Sequence, residues 1–478
     1  MTDAVIVGAG PNGLSAAIVL ARAGLKVVIH EASDEIGGGV RSAALTRPGF
    51  VHDICSTVHV MGKASPFWRT LPLAQHGLEW VDPEASLAHP LDDGTCVTVE
   101  RSIDATAAQL GDDAEAYRRL ILPIANSWPA LESLVLGPLR PPAHPILAAR
   151  FGLNAIRSTA AVARRFTKPH TRALLAGLGA HALLPLEQAP SAGAAITLGA
   201  LAHREGWVIT KGGAQRLSNA LAAYFRSLGG EIVTSAPVNT IDHLPPSRAV
   251  LCDLSPRPFL AIAGHRLSPG FRRSLERYRY GMGVFKVDWA LDGPVPWTAP
   301  GCRRAGTVHV GGTFEDIARS EAETWAGRLP EQPFVLLVQP TICNSTRAPE
   351  GQHTVWAYCH VPNGSTVDML PRIERQIERF APGFGDRIIA RAVMDTQALQ
   401  RHNANLVGGD IGMGVADLRQ LFARPTWREY STGVGGLYLC SGSTPPGIGV
   451  HGMCGFYAAQ RALRQVFRVR VGLGPAQQ

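Results

Sequence analysis

Paired cysteine motifs are missing. The chain has eight cysteines, and no two fall at C-x-x-C or C-x-x-x-x-C spacing. That argues against a redox-active disulfide, a structural zinc site or an iron–sulfur cluster, and leaves a set of reduced thiols. H-E-x-x-H and G-x-S-x-G are missing as well, so zinc-protease and serine-hydrolase chemistry have no motif to rest on. No stretch is apolar for the roughly eighteen residues a spanning helix needs. Lysine is scarce, supplying five of the 46 basic residues. No basic run carries interleaved aromatics, so the formal charge of +8 does not point to nucleic acid. The first apolar strand starts at Ala4, which leaves no room for a leader peptide; a cytoplasmic location is the expectation. Internal repeats and low-complexity segments are absent too.

What is present opens at the first strand. Apolar residues make up 46% of the 478, enough for a large core, and the length allows two or three domains. Ala4-Val5-Ile6-Val7 reads as a fully buried strand, Gly8-Ala9-Gly10-Pro11-Asn12-Gly13 fits G-x-G-x-x-G, and Leu14 to Ala23 reads as a helix stopped by Gly24. Lys26 to His30 is a second strand with Glu31 at its end. Strand, glycines, helix, strand and acid in this register predict a βαβ dinucleotide site. Gly8 serves the turn, Gly10 lets a pyrophosphate approach the backbone, and Gly13 lets the helix lie close to the sheet. The helix N-terminus then faces the phosphates. Glu31 can accept both ribose hydroxyls and would repel a 2′-phosphate.

That much fits NAD or FAD. The residues that follow, Gly37-Gly38-Gly39-Val40-Arg41, place a glycine doublet and an arginine just past the acid. This is the pattern of glutathione-reductase-type FAD proteins, and the chain resembles the flavin amine oxidase and phytoene desaturase superfamily, including proteins described as pyridine nucleotide-disulfide oxidoreductase domain proteins. The resemblance implies an α/β fold: a glutathione-reductase-type FAD-binding Rossmann domain with a second, sheet-plus-helix substrate domain. It implies FAD as the cofactor, with Gly37 and Gly38 near its pyrophosphate and Arg41 neutralising it. Here Gly39 and Val40 separate the doublet from the arginine. The segment around Cys55 to His59 would line the flavin. Val238 would pair its backbone with the adenine, unless it is simply a core valine.

The FAD domain is expected to be discontinuous, from 1–75, 204–255 and 405–478, with 76–203 and 256–404 forming the substrate domain. Asp92-Asp93-Gly94 reads as a hairpin turn. Gly283 to Leu291 alternates as a half-exposed strand, and with further strands near 307–310, 333–338 and 354–361 it suggests a mostly antiparallel sheet. Residues 146–168 read as one basic amphipathic helix with Arg150, Asn154, Arg157, Arg164 and Lys168 on a common face. It is either a solvated surface helix or a peripheral membrane contact.

Near the C-terminus, Gly436 to Cys440 is a strand, Ser441 to Gly452 a glycine- and proline-rich turn, and Met453 to Leu463 a helix. The resemblance places Gly442, Ser443 and Thr444 by the ribitol or phosphate, and Gly452 and Met453 at the ring edge, where a helix dipole stabilises reduced flavin. Two histidines, His59 and His451, then fall near the ring as candidate catalytic bases. His59 is alternatively a satisfied loop residue, and His451 a helix cap or a hydrogen-bond partner of the flavin. No second G-x-G-x-x-G is convincing, so a nicotinamide domain is not expected and oxygen or a quinone is the expected acceptor. The expected activity is removal of hydride and proton from a bulky apolar substrate. The alternatives are a redox-neutral isomerase, an amine oxidase and a non-catalytic carrier of lipid or prenyl groups.

Overall fold

The computed structural model describes residues 2–469. In chain order the strands that matter are β1 (Ala4–Val7), β2 (Val27–His30), β3 (Ala85–Pro90), β4 (Cys96–Val99), β5 (Glu231–Val233), β6 (Ala249–Cys252), β7 (Gly283–Leu291), β8 (Ala305–Val310), β9 (Val335–Val338), β10 (His353–Val361), β11 (Ile388–Met394) and β12 (Leu437–Leu439). The helices that matter here are α1 (Pro11–Arg22), α2 (Pro145–Ala155), α3 (Thr159–Ala163), α4 (Pro169–Ala180), α5 (Ala192–Glu205), α6 (Gln215–Ser227), α7 (Phe314–Trp325) and α8 (Met453–Ala462).

One sheet has the order β12-β6-β1-β2-β5, every neighbouring pair parallel. Parallel strands need crossover connections that cover both faces, so β1 is apolar throughout and buried at all of its positions. Its strands come from residues 4–30, 231–252 and 437–439, so the chain leaves the sheet and returns to it twice. The excursions build a second sheet, β11-β7-β10-β9-β8-β3-β4, antiparallel except where β8 runs beside β3. The β3–β4 hairpin closes where Asp93 Oδ1 accepts from the Thr95 N–H (2.9 Å).

Two sequence expectations change. Strand β7 is not half-exposed: every residue of it is buried. Phe285, Val287, Trp289 and Leu291 join an apolar cluster on one face. The opposite face, with Val284 and Lys286, lines an internal cavity rather than solvent. The single helix expected at 146–168 is two, because the Ser158 hydroxyl accepts from the Ala161 N–H and starts α3 afresh. Ile146, Leu153 and Ile156 of the α2 segment are exposed, at 87%, 66% and 48%, so apolar as well as basic residues face outward there. Among the described residues no helix is long and apolar enough to cross a membrane.

Helices α1 and α8 cross at a glycine. A Cβ on Gly455 would lie 1.8 Å from the Asn12 carbonyl oxygen, so the crossing tolerates no side chain. Gly455→Ala is expected to lower stability by about 2–3 kcal/mol, the upper part of the range for forced overpacking. Gly152→Ala in α2, where nothing lies within 4 Å of the added atom, should raise it by about 0.5–1 kcal/mol through helix propensity. Urea unfolding midpoints of both variants check the contrast, and equal midpoints would contradict the crossing.

Candidate active site

The chain leaves β1 into the first glycine loop, and α1 starts at once with Gly10 as its N-cap, without any side-chain cap. A Cβ on Gly13 would lie 2.0 Å from the Gly8 carbonyl oxygen, so helix and strand exit touch. The second glycine loop lies on the first: a Cβ on Gly38 would come within 3.2 Å of Gly10 Cα, and the Gly37 N–H donates to the Ala9 carbonyl (3.0 Å). Glu31 sits where β2 meets this loop. Its carboxylate accepts from the N–H groups of Ala9 (2.7 Å) and Ser33 (2.9 Å). Arg41 donates to the Ser33 hydroxyl (2.9 Å) and pairs with Glu35 at 3.3 Å and Asp34 at 3.7 Å. Its Nε is buried without a partner. Glycines, Glu31 and Arg41 therefore come together. Val238 lies just beyond β5, two residues after Ala236, whose N–H donates to the Glu31 carbonyl (2.8 Å), and its side chain packs against the small cluster that contains Val7, Cys252 and Leu439.

One residue here was not foreseen. Asp253, directly after β6, places Oδ2 2.9 Å from the Gly13 N–H and 2.8 Å from where a Cβ on Gly10 would be. Burial pushes its carboxyl up to about 7; the charge of Glu31 adds to this and the Gly13 N–H opposes it. Its position at the end of the strand next to β1 was the available signal, since that is where parallel sheets place ligands.

In the C-terminal loop the side chains of Ser443 and Thr444 bond within the protein, and His451 takes the helix-cap role that was the alternative reading for it. The Ser443 hydroxyl donates to the Met413 carbonyl and the Thr444 hydroxyl to the Ser441 carbonyl, both at 2.8 Å. Both hydroxyls thus donate to backbone carbonyls of the protein, and of Gly442, Ser443 and Thr444 only Gly442 lines the cavity. His451 is fully buried and does not line the cavity, although Gly449 and Val450 beside it do; its Nδ1 accepts from the Met453 N–H (3.1 Å). It is the cap of α8, because Gly452, at φ 69°, has no side chain to do it. Met453 itself is buried beneath the loop.

Between the glycine-rich loops and the second sheet lies a cavity of about 280 Å³. The run Cys55 to Met61 forms one side, joined by Asn12 and Gly39 from the glycine loops. Lys286, Trp356 and Tyr358 of the second sheet form another, and His181, Leu198 and Trp207 close it. Five buried polar atoms of its lining residues have no partner: Asn12 Oδ1, Thr57 Oγ1, both ring nitrogens of His59 and Trp356 Nε1. Buried polar groups are normally satisfied, so a group of this kind marks a place for a ligand. The backbone cradle and these unpartnered atoms, which begin at Asn12 within it and continue along the cavity wall, fit an FAD. His59 is 1% exposed, and burial pushes its imidazole down to about 4, with Asp53 opposing and Arg347 adding. The Cys55 thiol is pushed up to about 11 by burial, which keeps it a thiol rather than a nucleophilic thiolate.

Lys286 was also missed. It is buried, paired with Asp288, and its Nζ lies 5.3 Å from the centroid of the Trp356 ring. Behind it Asp288 approaches His52 Nδ1 at 3.5 Å, while Asp53 pairs with Arg347 at 2.7 Å. The signal was Lys and Asp two apart on one face of an otherwise apolar strand, a placement that side-chain alternation makes buried or functional.

The family profile described as flavin containing amine oxidoreductase matches residues 12–258, more than half of the chain. Pyridine nucleotide-disulfide oxidoreductase domain-containing protein 2 of Rattus norvegicus is 26% identical over 97% of this chain and 94% of its own length. Phytoene desaturase (neurosporene-forming) of Rhodobacter capsulatus is 25% identical over 95% and 92%. The crystal structure of an oxidoreductase from Methanosarcina mazei superposes with a TM-score of 0.66 at 14% identity, covering 97% of this chain and 100% of that one.

Two outcomes are expected at the cradle. Gly13→Val should abolish FAD uptake, and Glu31→Ala should weaken it by about 1–3 kcal/mol, the scale for charged hydrogen bonds. Flavin absorbance after reconstitution measures both, and unchanged content would contradict the site. The second outcome concerns pH. Folded Asp253 holds its proton up to about 7 against the ordinary 3.8. Between those values the unfolded chain has released a proton that the folded chain keeps, so stability falls as pH rises through the window and levels off above it. Asp253→Asn escapes that loss. In flavin-free protein, its melting temperature relative to the parent should climb from about pH 4 to about pH 7, and a gap independent of pH would contradict the assignment.

Proposed function

The chain belongs to the flavin-containing amine oxidoreductase family and is an FAD-dependent oxidoreductase, and from that premise we propose that it removes a hydride and a proton from a bulky, uncharged apolar substrate, with oxygen or a quinone as acceptor. One observation carries the choice of substrate. Among the described residues lining the cavity, Lys286 alone is charged, and it is a cation already paired with Asp288. An ammonium group would meet no free carboxylate there. A relative named phytoene desaturase supports the same direction. FAD, when bound, supplies the hydride acceptor.

The chain's own residues do the rest. Leu, Ile, Val and Trp side chains on the cavity wall exclude water, which strengthens each polar contact made inside. His59 presents a neutral imidazole with both nitrogens unengaged, and it is the group proposed to take the proton. Burial makes it a weak base. A weak base suffices because hydride loss leaves a cationic carbon whose neighbouring C–H is strongly acidic. The exposed Ile146, Leu153 and Ile156, with Arg150 and Arg157 beside them, support a peripheral membrane contact as the route by which such a substrate arrives.

Anaerobic mixing of the FAD-loaded protein with a panel of terpenoids, lipids and amines, read as loss of flavin absorbance, tests the proposal. Reduction by an uncharged apolar compound is expected; reduction by amines alone would overturn it. His59→Ala should keep its FAD and reduce about a hundredfold more slowly, the scale for losing a positioned base. His451→Ala should reduce at the parental rate. Because His59 stays neutral down to about 4, the parental rate should be flat on lowering the pH from 8 to about 5 and fall only below that.

A further inference from the structure

A second polar feature lies in the cavity wall where α4 meets β8. His181 caps the C-terminus of α4 and lines the cavity. Its Nε2 lies 3.2 Å from Nε2 of His309 on β8, so one imidazole donates to the other. His309 is completely buried and its Nδ1 has no partner. A Cβ on Gly177 would fall 2.3 Å from that atom, so the helix backbone closes over it.

This arrangement fixes the tautomers. Inside a protein an unpartnered N–H is rarer, because costlier, than an unpartnered lone pair. His309 therefore leaves Nδ1 unprotonated and carries its proton on Nε2, donating it to His181 Nε2. The lone pair of His181 Nε2 is then used, and its own proton sits on Nδ1, the nitrogen not engaged by His309. Burial keeps both rings neutral: His181 is pushed down to about 4 and His309 well below 6.5. The surroundings offer Nδ1 nothing else. Trp207, its ring 6.3 Å away, spends its own N–H on the Thr307 hydroxyl (2.8 Å), and Leu183, Leu198 and Leu336 complete this part of the wall.

Resting on the reading of an uncharged apolar substrate above, the geometry points to a recognition site for one acceptor oxygen: the cavity's ligand carries a carbonyl or hydroxyl oxygen that accepts from His181 Nδ1–H. A bare hydrocarbon would bury this N–H unpaired, and an ammonium would bring a donor to a donor. Either mismatch is penalised more heavily in an apolar wall than in water. His181 thereby sets which uncharged molecules bind and in which orientation.

The test uses chain-matched probes: 2-nonanone, 2-nonanol, nonane and nonylamine. They are titrated into FAD-loaded protein with the visible flavin spectrum as readout, and into flavin-free protein with tryptophan fluorescence as readout. The ketone and the alcohol should bind about tenfold more tightly than nonane, the size of one buried hydrogen bond, and more tightly than the amine. His181→Phe should bind ketone and nonane alike while retaining its flavin, and His309→Phe, which removes the donor to His181, should reduce the ketone preference several-fold. Equal affinities in the parent protein, or a ketone preference that survives His181→Phe, would overturn the site. If His181→Phe does not fold, the parental comparison decides. A protein that takes up no FAD overturns the oxidoreductase reading, while the fluorescence titration still judges the oxygen site. Flavin reduction by a bare hydrocarbon that binds as tightly as the ketone overturns the oxygen site alone.

Discussion

The contact on which the rest depends is the one between Gly13 and the Gly8 carbonyl, where a side-chain carbon would have only 2.0 Å. It brings the uncapped N-terminus of α1 directly above the end of β1, so that backbone N–H groups and the positive end of the helix dipole share one small volume. The same helix then serves as an anvil for the far end of the chain. Gly455 of α8 meets the Asn12 carbonyl, Gly452 approaches the Ser15 hydroxyl, and Trp68 Nε1 donates to that hydroxyl at 2.9 Å. Two glycine loops separated by most of the sequence are thus held against one helix, which keeps a cradle for phosphates and the floor of a cavity in fixed relation.

The second sheet has to be registered against that floor, and buried charge does it. Asp53 follows Gly38 of the glycine doublet by fifteen residues, and Arg347 belongs to the segment between β9 and β10. They pair at 2.7 Å, and Arg347 Nε also donates to the Val51 carbonyl at 2.9 Å. Asp53 accepts further from the Ser42 hydroxyl (2.6 Å) and from the N–H of Ala214, which precedes α6 (2.7 Å). Four separate stretches meet at one carboxylate. A buried ion pair adds little net stability over a well-packed apolar substitute, yet removing one member costs roughly 3–5 kcal/mol because the other is stranded. Such a junction makes relative sliding of the sheets costly, which suits a cavity walled by the glycine loops that follow one sheet and by the strands of the other.

What could be read from the chain alone follows the range over which its physics acts. The βαβ opening is local: a buried strand, its glycines, a helix and an acid lie within thirty-one residues, and each has a steric or electrostatic reason for its type. The return of Glu231–Val233 and Ala249–Cys252 to the same sheet is legible because apolar runs and glycine stops recur. The cavity was not, because its chemistry comes from residues that touch only after folding. Asp253 looks like any polar residue after a strand until its carboxylate is found on the Gly13 N–H. Lys286 and Asp288 look like the wet face of an alternating strand, since alternation does not reveal what covers the second face. His451 was attractive because it precedes a helix beside a cofactor loop, yet that same position makes it a cap. At residues 146–168 the helical spacing was sound, but a serine hydroxyl at 158 is a competing start signal that periodicity ignores.

A pattern runs through the ionisable groups of the cavity and its surroundings. Burial holds His59, His181, His309 and His451 neutral, the Cys55 thiol protonated and the Asp253 carboxyl partly protonated near neutrality. The exception, Lys286, carries its counter-ion with it. The interior therefore presents hydrogen-bonding direction without net charge. Several of those directions, at Asn12, Thr57 and His59, have no partner in the chain itself. Each unmet group costs the folded protein free energy, which a ligand supplying the missing partner returns on binding. Binding that favours the folded state in this way stabilises it by mass action. A ligand that supplies those partners is therefore coupled to the stability of the fold, and the unpartnered polar atoms along the cavity say which hydrogen bonds it has to bring.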